Sequence, residues 1–332
     1  MIPREVVRRT LEFDSPPRVP RQTWLLPWAE IHHPEAARDI LARYPDDMVS
    51  APDLYRRPLP TEGDRYGVGR FKDDWGCVCE GIQAGVIGEV KEPILTDWSL
   101  AADLRLPIER LDVDRDAVNA FCRDTDRFVI AGTFPRPFER LQFLRGSETL
   151  YLDLLERPAA LDDLLARMHA FHLDELTAWA ETEVDALMLM DDWGAQNAML
   201  VDPTLWREMF RPLYAEYVAL AHAHGKPMLL HSDGHITDII PDLVDMGLDG
   251  LNAQVFCMDI EELGARFGGR LTFWGEMDRQ RLLPEATTDE IVAAAARLED
   301  AFWRDGGFIA QCEFGPGARP ENIVAYFDYW AG

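Results

Sequence analysis

Two stretches, Val184-Asp-Ala-Leu-Met-Leu-Met-Asp-Asp-Trp-Gly194 and Lys226-Pro-Met-Leu-Leu-His-Ser-Asp-Gly234, share one pattern: an apolar run of strand length that stops abruptly in polar residues. A run with no polar alternation reads as a strand buried on both faces, as in a parallel sheet covered by helices. Between them, Pro203 to His224 carries Leu205, Met209, Leu213, Tyr217 and Leu220 at helical spacing, with Asp202 as a cap and Pro203 in the first turn. Strand, helix, strand is the βαβ unit.

The pattern extends in both directions. Arg127–Thr133 repeats it upstream, Leu248–Asn252, Leu271–Gly275 and Phe308–Cys312 repeat it downstream, and Val19–Leu26 and Asp47–Ser50 precede them all. Segments with helical periodicity separate them, among them Asp238 to Met246 and Thr288 to Phe302. Eight such strands predict an α/β fold of the (β/α)8 TIM-barrel type, preceded by an N-terminal helical extension. The stretch 56–98, with Tyr66-Gly-Val-Gly69 and Asp74-Trp-Gly76, breaks the alternation and reads as an inserted hairpin region over one mouth. Barrels of this type routinely exceed the usual domain length, so the 332 residues read as one domain, 1–332.

Charge narrows the function. Thirty-three Lys and Arg against 59 Asp and Glu leave a net charge of −26, a field that repels phosphate backbones and anionic lipid head groups. Nucleic acid and membranes are not expected as partners. No apolar stretch approaches the roughly 20 residues of a membrane helix, and the charged start Met1-Ile-Pro-Arg-Glu5 is unlike a secretory signal, so a cytoplasmic protein is expected. The five cysteines (77, 79, 122, 257, 312) are an odd, sparse set that fits reduced thiols better than a disulfide framework. Neither a dinucleotide fingerprint, a P-loop nor a G-x-S-x-G elbow is present.

In a barrel the chemistry sits at the carboxyl ends of the strands. Those ends are polar here: Asp191, Asp192 and Trp193; His231, Ser232 and Asp233; Asn252 and Gln254; Glu276 and Asp278; Gln311, Cys312 and Glu313. His231, Asp233 and Cys312, with Glu276 as a further donor, are ligand types that zinc accepts; the competing reading is a hydrogen-bonded core histidine and a buried thiol. Asp191 and Asp192 offer acid–base chemistry, or else a helix cap and a solvated loop. Trp24 and Trp193 stand beside strand ends, where they could line a pocket.

Taken in order, several motifs resemble the uroporphyrinogen decarboxylase superfamily, which includes corrinoid-dependent methyltransferases. They are Arg4-Glu-Val-Val-Arg-Arg-Thr-Leu-Glu12 with Pro17-Arg-Val-Pro20, Asp191-Asp-Trp-Gly194, Pro203-Thr-Leu-Trp-Arg-Glu-Met-Phe-Arg-Pro212, Ala221-His-Ala-His-Gly225, Leu230-His-Ser-Asp-Gly234, Phe273-Trp-Gly275 and Pro320-Glu-Asn-Ile323. The resemblance implies a (β/α)8 barrel. It also points away from decarboxylation: the arginine-rich motif after the first strand keeps only Arg21 and Gln22, and the last strand ends in Cys312 where decarboxylases have a histidine. The methyl-transferring branch binds zinc through H-x-C-G and a cysteine nine residues before E-N-I. Here His231-Ser-Asp-Gly234 and Cys312 (321 − 312 = 9) match two of its three ligands, with Asp233 in place of the third.

The resulting expectation is a methyltransferase moving a methyl group between a small methylated substrate and a corrinoid protein or thiol acceptor. Zinc would be bound by His231, Asp233 and Cys312, and the corrinoid carried by a partner protein. Asp191 and Glu276 would be catalytic; Trp24, Asp192, Trp193, Asn252, Gln254, Asp278 and Glu313 would bind substrate; a homodimer is an allowed assembly. The alternative enzyme is a cofactor-free uroporphyrinogen decarboxylase, in which Arg21, Arg136 and Arg140 would clasp carboxylates. A non-catalytic barrel that carries a corrinoid or porphyrin is the third reading.

Overall fold

The computed structural model describes residues 1–331. Its strands are β1 (Arg21–Leu25), β2 (Met48–Ser50), β3 (Gly69–Lys72), β4 (Val78–Gly81), β5 (Glu89–Glu92), β6 (Phe128–Ile130), β7 (Leu187–Met190), β8 (Met228–Ser232), β9 (Gly250–Ala253), β10 (Thr272–Glu276) and β11 (Phe308–Phe314). All eight runs marked out in the sequence form strands, and β3, β4 and β5 fall within 56–98 as a separate antiparallel sheet. The class is α/β.

Six of the eight form one curled parallel sheet in the order β1-β11-β10-β9-β8-β7, so the first strand pairs with the last. The remaining two, β2 and β6, pair with each other rather than continuing a single eight-stranded ladder. Each is only three residues long, and at both seams aspartates supply acceptors that a longer strand would have supplied from its backbone. Next to β1, Asp47 N donates to Arg21 O (2.9 Å), while Thr23 N donates to Asp46 Oδ1 (2.7 Å) and Arg21 N to Asp47 Oδ2 (2.9 Å). Next to β7, Ile130 bridges Ala186, and Val129 N donates to Asp185 Oδ2 (2.7 Å).

The concave face of the sheet is filled by Met48, Phe128, Ile130, Ala186, Met188, Leu229, Trp274 and Ile309. The N-terminal helix Pro3–Leu11 lays Val7 against this cluster. It is fastened by Arg4, whose guanidinium donates to the carbonyls of Cys122 (2.6 Å), Thr125 (3.1 Å) and Arg127 (3.1 Å). Helices cover the convex face. Where periodicity predicts one helix from Pro203 to His224, the chain makes two, Pro203–Met209 and Arg211–Ala223. Pro212 is the reason: it has no N–H to donate back, and its ring disfavours helical geometry at the residue before it. Asp202 caps the first of the two, accepting from Thr204 N at 2.7 Å. Among the described residues no helix is long and apolar enough to cross a membrane.

The seam at β1 gives a stability prediction. Asp47 is buried and accepts from Arg18 Nη1 (2.7 Å), Arg18 Nη2 (2.5 Å) and Arg21 N (2.9 Å). Asp47→Ala strands a buried amide and an arginine together, so a loss on the order of 3 kcal/mol is expected from denaturant midpoints. A change below about 1 kcal/mol would mean the seam does not depend on that carboxylate.

Candidate functional site

Along a strand, side chains alternate between the two faces. Parallel register carries one phase across the whole sheet: Leu229 of β8, Trp274 of β10 and Ile309 of β11 all lie in the inner cluster. Two residues further on, the same phase delivers His231, Glu276 and Gln311, and beyond those Asp233 and Glu313. On the neighbouring strands it delivers Asn252, Gln22 and Trp24, since Asn252 pairs with His231, Gln22 with Gln311 and Trp24 with Glu313. These residues make a polar cup on an apolar floor, at the carboxyl ends of β7 to β11 and β1.

At its centre the ring of His231 is held by a short chain of bonds. Asn252 donates its amide N–H to Trp274 O (2.7 Å), which leaves Asn252 Oδ1 as the acceptor 2.5 Å from His231 Nδ1. Nδ1 therefore carries the proton in the neutral ring, and Nε2 presents a lone pair. Nε2 lies 3.5 Å from both Asp192 Oδ1 and Asp233 Oδ1. The ring of Trp24 packs against the imidazole (centroids 5.1 Å) and stands edge-on to Trp274 (5.7 Å), with its Nε1–H donated to Gln22 Oε1 (3.0 Å).

Arg279, three residues past Glu276, ties the acidic side of the cup together. It bonds Asp233 Oδ2 and Glu313 Oε2 (2.9 Å) and lies 3.5 Å from Glu276 Oε1. Glu276 is almost fully buried, and Oε1 has no hydrogen-bond partner. Burial, reinforced by the nearby charges of Asp233, Glu313 and Asp192 and opposed by Arg279, pushes its pKa up to about 8. Burial likewise raises Glu313, against the pull of Arg279. A cleft of about 390 Å³ lies alongside, lined by Gln254, Cys257, Glu276, Asp278 and Arg279 among others. Gln254 accepts from Gly234 N (3.1 Å), and Asp278 turns the loop by accepting from Gln280 N and Arg281 N (both 2.9 Å).

Three expected site residues lie elsewhere. Asp191 points away from the cup, fully buried, accepting from Phe138 N (3.0 Å), Glu139 N (2.7 Å) and Tyr214 Oη (2.7 Å). Burial raises its pKa to about 7, but its geometry is that of an anchor for the start of helix Pro137–Arg145. Of the two adjacent aspartates, it is Asp192 that reaches His231. Trp193 is core: it stacks on Phe138 (4.3 Å) and donates Nε1–H to Tyr214 Oη (2.8 Å). Cys312 occupies the strand phase opposite to Glu313 and sits fully buried in the outer core, its pKa pushed well up by burial. It does not join His231 and Asp233.

Arg279 and Trp274 were not anticipated. A signal for Arg279 existed: several carboxylates predicted at one buried mouth require a cation, and Arg279 is the basic residue nearest in sequence to Glu276 and Asp278. Each arginine a decarboxylase would need has its own partner: Arg21 bonds Pro45 O (3.3 Å), Arg136 bonds Glu139 (2.6 Å), and buried Arg140 bonds Asp73.

For a metal, the cup offers one imidazole nitrogen and carboxylate oxygens, with Asp192, His231 and Asp233 each contributing a ligand atom within 4.8 Å of the others. Asp233 Oδ1 is buried without a hydrogen-bond partner, as a ligand oxygen would be. Nitrogen and oxygen donors fit a divalent ion such as zinc, whereas the thiolate of the expected set is missing.

The uroporphyrinogen decarboxylase (URO-D) family model matches residues 80–331, which is most of the chain, and the chain belongs to that family. Among solved structures it resembles a methyltransferase from Methanosarcina mazei, with TM-score 0.68 and 16% identity over 100% of this chain and 98% of that one. Weaker likenesses include a D-psicose 3-epimerase (TM-score 0.43, 13% identity, 67% of this chain and 84% of that one). Another is a 3-keto-D-glucoside 4-epimerase from E. coli (TM-score 0.38, 16% identity, 71% and 86%). No curated protein sequence gives a significant match.

Glu276 yields a pH prediction. Its folded pKa, about 8, lies above the ordinary 4.5, so the folded state holds the proton more tightly. The stability it contributes is complete below the ordinary value and is lost as pH rises through the folded one. In Glu276→Gln that loss is absent, so the wild type should fall relative to the variant between those two values in urea titrations. Parallel curves would show that Glu276 titrates normally.

Proposed function

We propose that the protein is a methyltransferase, moving a methyl group between a small methylated substrate and a corrinoid protein or thiol acceptor. The supporting observation is the cup itself: a histidine of set tautomer faces Asp192 and Asp233, beside a buried Glu276 that is neutral near pH 7. Full-length likeness to a methyltransferase fold agrees with it. In this reading the eight strands make one (β/α)8 barrel over 1–332, with 56–98 inserted, and His231 and Asp233 hold a divalent cation, zinc by the family resemblance. When bound, such an ion supplies Lewis acidity that lowers the pKa of a thiol or water.

The chain's own residues do the rest. As the acceptor's nucleophile takes the methyl carbon, the bond to oxygen, nitrogen or sulfur breaks and its electron pair stays on that heteroatom. A neutral ether, alcohol or thioether substrate leaves an anion to which the Glu276 carboxyl donates its proton, whereas a cationic amine leaves neutral and needs none. Arg279 then lies close to the carboxylate that is left. Trp24 packs against the ring of His231 and supplies an aromatic wall on that side of the cup.

Supplying purified protein with methylated amines, methanol or aryl methyl ethers and reduced cobalamin should produce methylcobalamin, followed by absorbance. Glu276→Gln should lower kcat about 10²-fold or more. Carbon dioxide release from uroporphyrinogen with no methyl transfer would replace this reading with the decarboxylase.

A further inference from the structure

We propose that Asp192, and not Cys312, completes the cation site with His231 and Asp233, so that the bound divalent ion has no sulfur ligand. The inference rests on the metal-assisted reading of the cup and goes beyond it in naming the ligand set. Four observations carry it.

The first is the imidazole. Asn252 and Trp274 O assign the proton on Nδ1, so in the neutral ring Nε2 turns a lone pair toward two carboxylate oxygens. In that form three acceptors converge, of which Asp192 Oδ1 alone receives a donor, the Asp233 N–H (2.9 Å), an arrangement that a shared cation relieves.

The second is spacing. Ligand atoms about 2.1 Å from a tetrahedral ion lie about 3.4 Å from one another. Nε2 is 3.5 Å from Asp192 Oδ1 and 3.5 Å from Asp233 Oδ1.

The third is unspent polarity in the same cup. Asp233 Oδ1 and Glu276 Oε1 are buried with no hydrogen-bond partner, and Glu276 is exposed by only 2%. Meanwhile Asp233 Oδ2 is bound by Arg279, and Asp192 Oδ1 accepts from Asp233 N (2.9 Å), bonds that hold both carboxylates toward Nε2. Asn252 and Arg279 are the outer groups that orient the ligands.

The fourth is the exclusion of the thiol. Cys312 adjoins Glu313, which points into the cup to meet Arg279, so Cys312 must face the helices. Bringing its sulfur inward would slip β11 by one residue against both β1 and β10 and turn every side chain of that strand to the wrong face.

The test uses metal-free protein titrated with Co²⁺, followed by absorption and calorimetry, alongside Zn²⁺ by calorimetry. One ion per chain should bind, with no thiolate-to-cobalt charge-transfer band in the near ultraviolet, and Cys312→Ala should bind as tightly as wild type. Asp192→Asn keeps an oxygen to accept from Asp233 N, so it should melt near the wild-type temperature yet bind at least about ten-fold more weakly. A charge-transfer band that disappears in Cys312→Ala overturns the proposal. So does undiminished binding by Asp192→Asn, or no binding by wild type. Sulfur-free binding without methyl transfer would uphold the site and sink the function; methyl transfer by protein that binds no ion would do the reverse.

Discussion

The chemistry of this molecule depends on the two-residue period of its strands. In a curled sheet whose convex face is covered by helices, both phases of each strand are buried, and only one of them opens onto the cup. A single step along the chain separates a group that can touch a substrate from one that can only pack. Asp191 and Asp192 differ by that step: one anchors a helix, and the other faces His231. Cys312 and Glu313 differ by it again, and so does Trp193 from the aspartate before it.

This period also explains what could be read beforehand. Strand positions were legible because unbroken apolar runs between helical segments have no other plausible use, and all eight runs appear as strands. His231 and Asp233 were legible as a pair because residues two apart share a face whatever the phase. The phase itself was hidden. In Leu187-Met-Leu-Met190 every residue is apolar, since both faces are buried, so nothing in the run announces whether Asp191 or Asp192 will turn inward. The family spacing that singled out Cys312 as a ligand was silent on direction for the same reason. Arg279 lies on a loop beyond the strand, and its role depends on three carboxylates brought from β8, β10 and β11, a convergence no local pattern records.

The acidity of the chain is likewise not all surface. Asp46, Asp47 and Asp185 accept backbone amides where β2 and β6 meet the main sheet, and Asp249 does so at the start of β8 (2.8 Å from Met228 N). Beneath the antiparallel insertion, Asp73, Asp74 and Glu175 are matched by Arg110 and Arg140. In the cup, Arg279 answers several carboxylates, and burial, reinforced by those charges against the pull of Arg279, raises Glu276. A net charge of −26 is thus partly a record of where short strands needed acceptors and of the carboxylates gathered in the cup.

The pairing of β1 with β11 has a consequence for how the chain reaches its native state. Thr23 finds its ladder neighbour at Cys312, and Gly307 donates to Thr10 O, so one edge of the opening segment is closed by the closing one. Such pairings carry the loop-closure cost of nearly the whole polypeptide, which slows folding. During synthesis, the edge of β1 that pairs with β11 stays open until residues 308–314 have emerged from the ribosome.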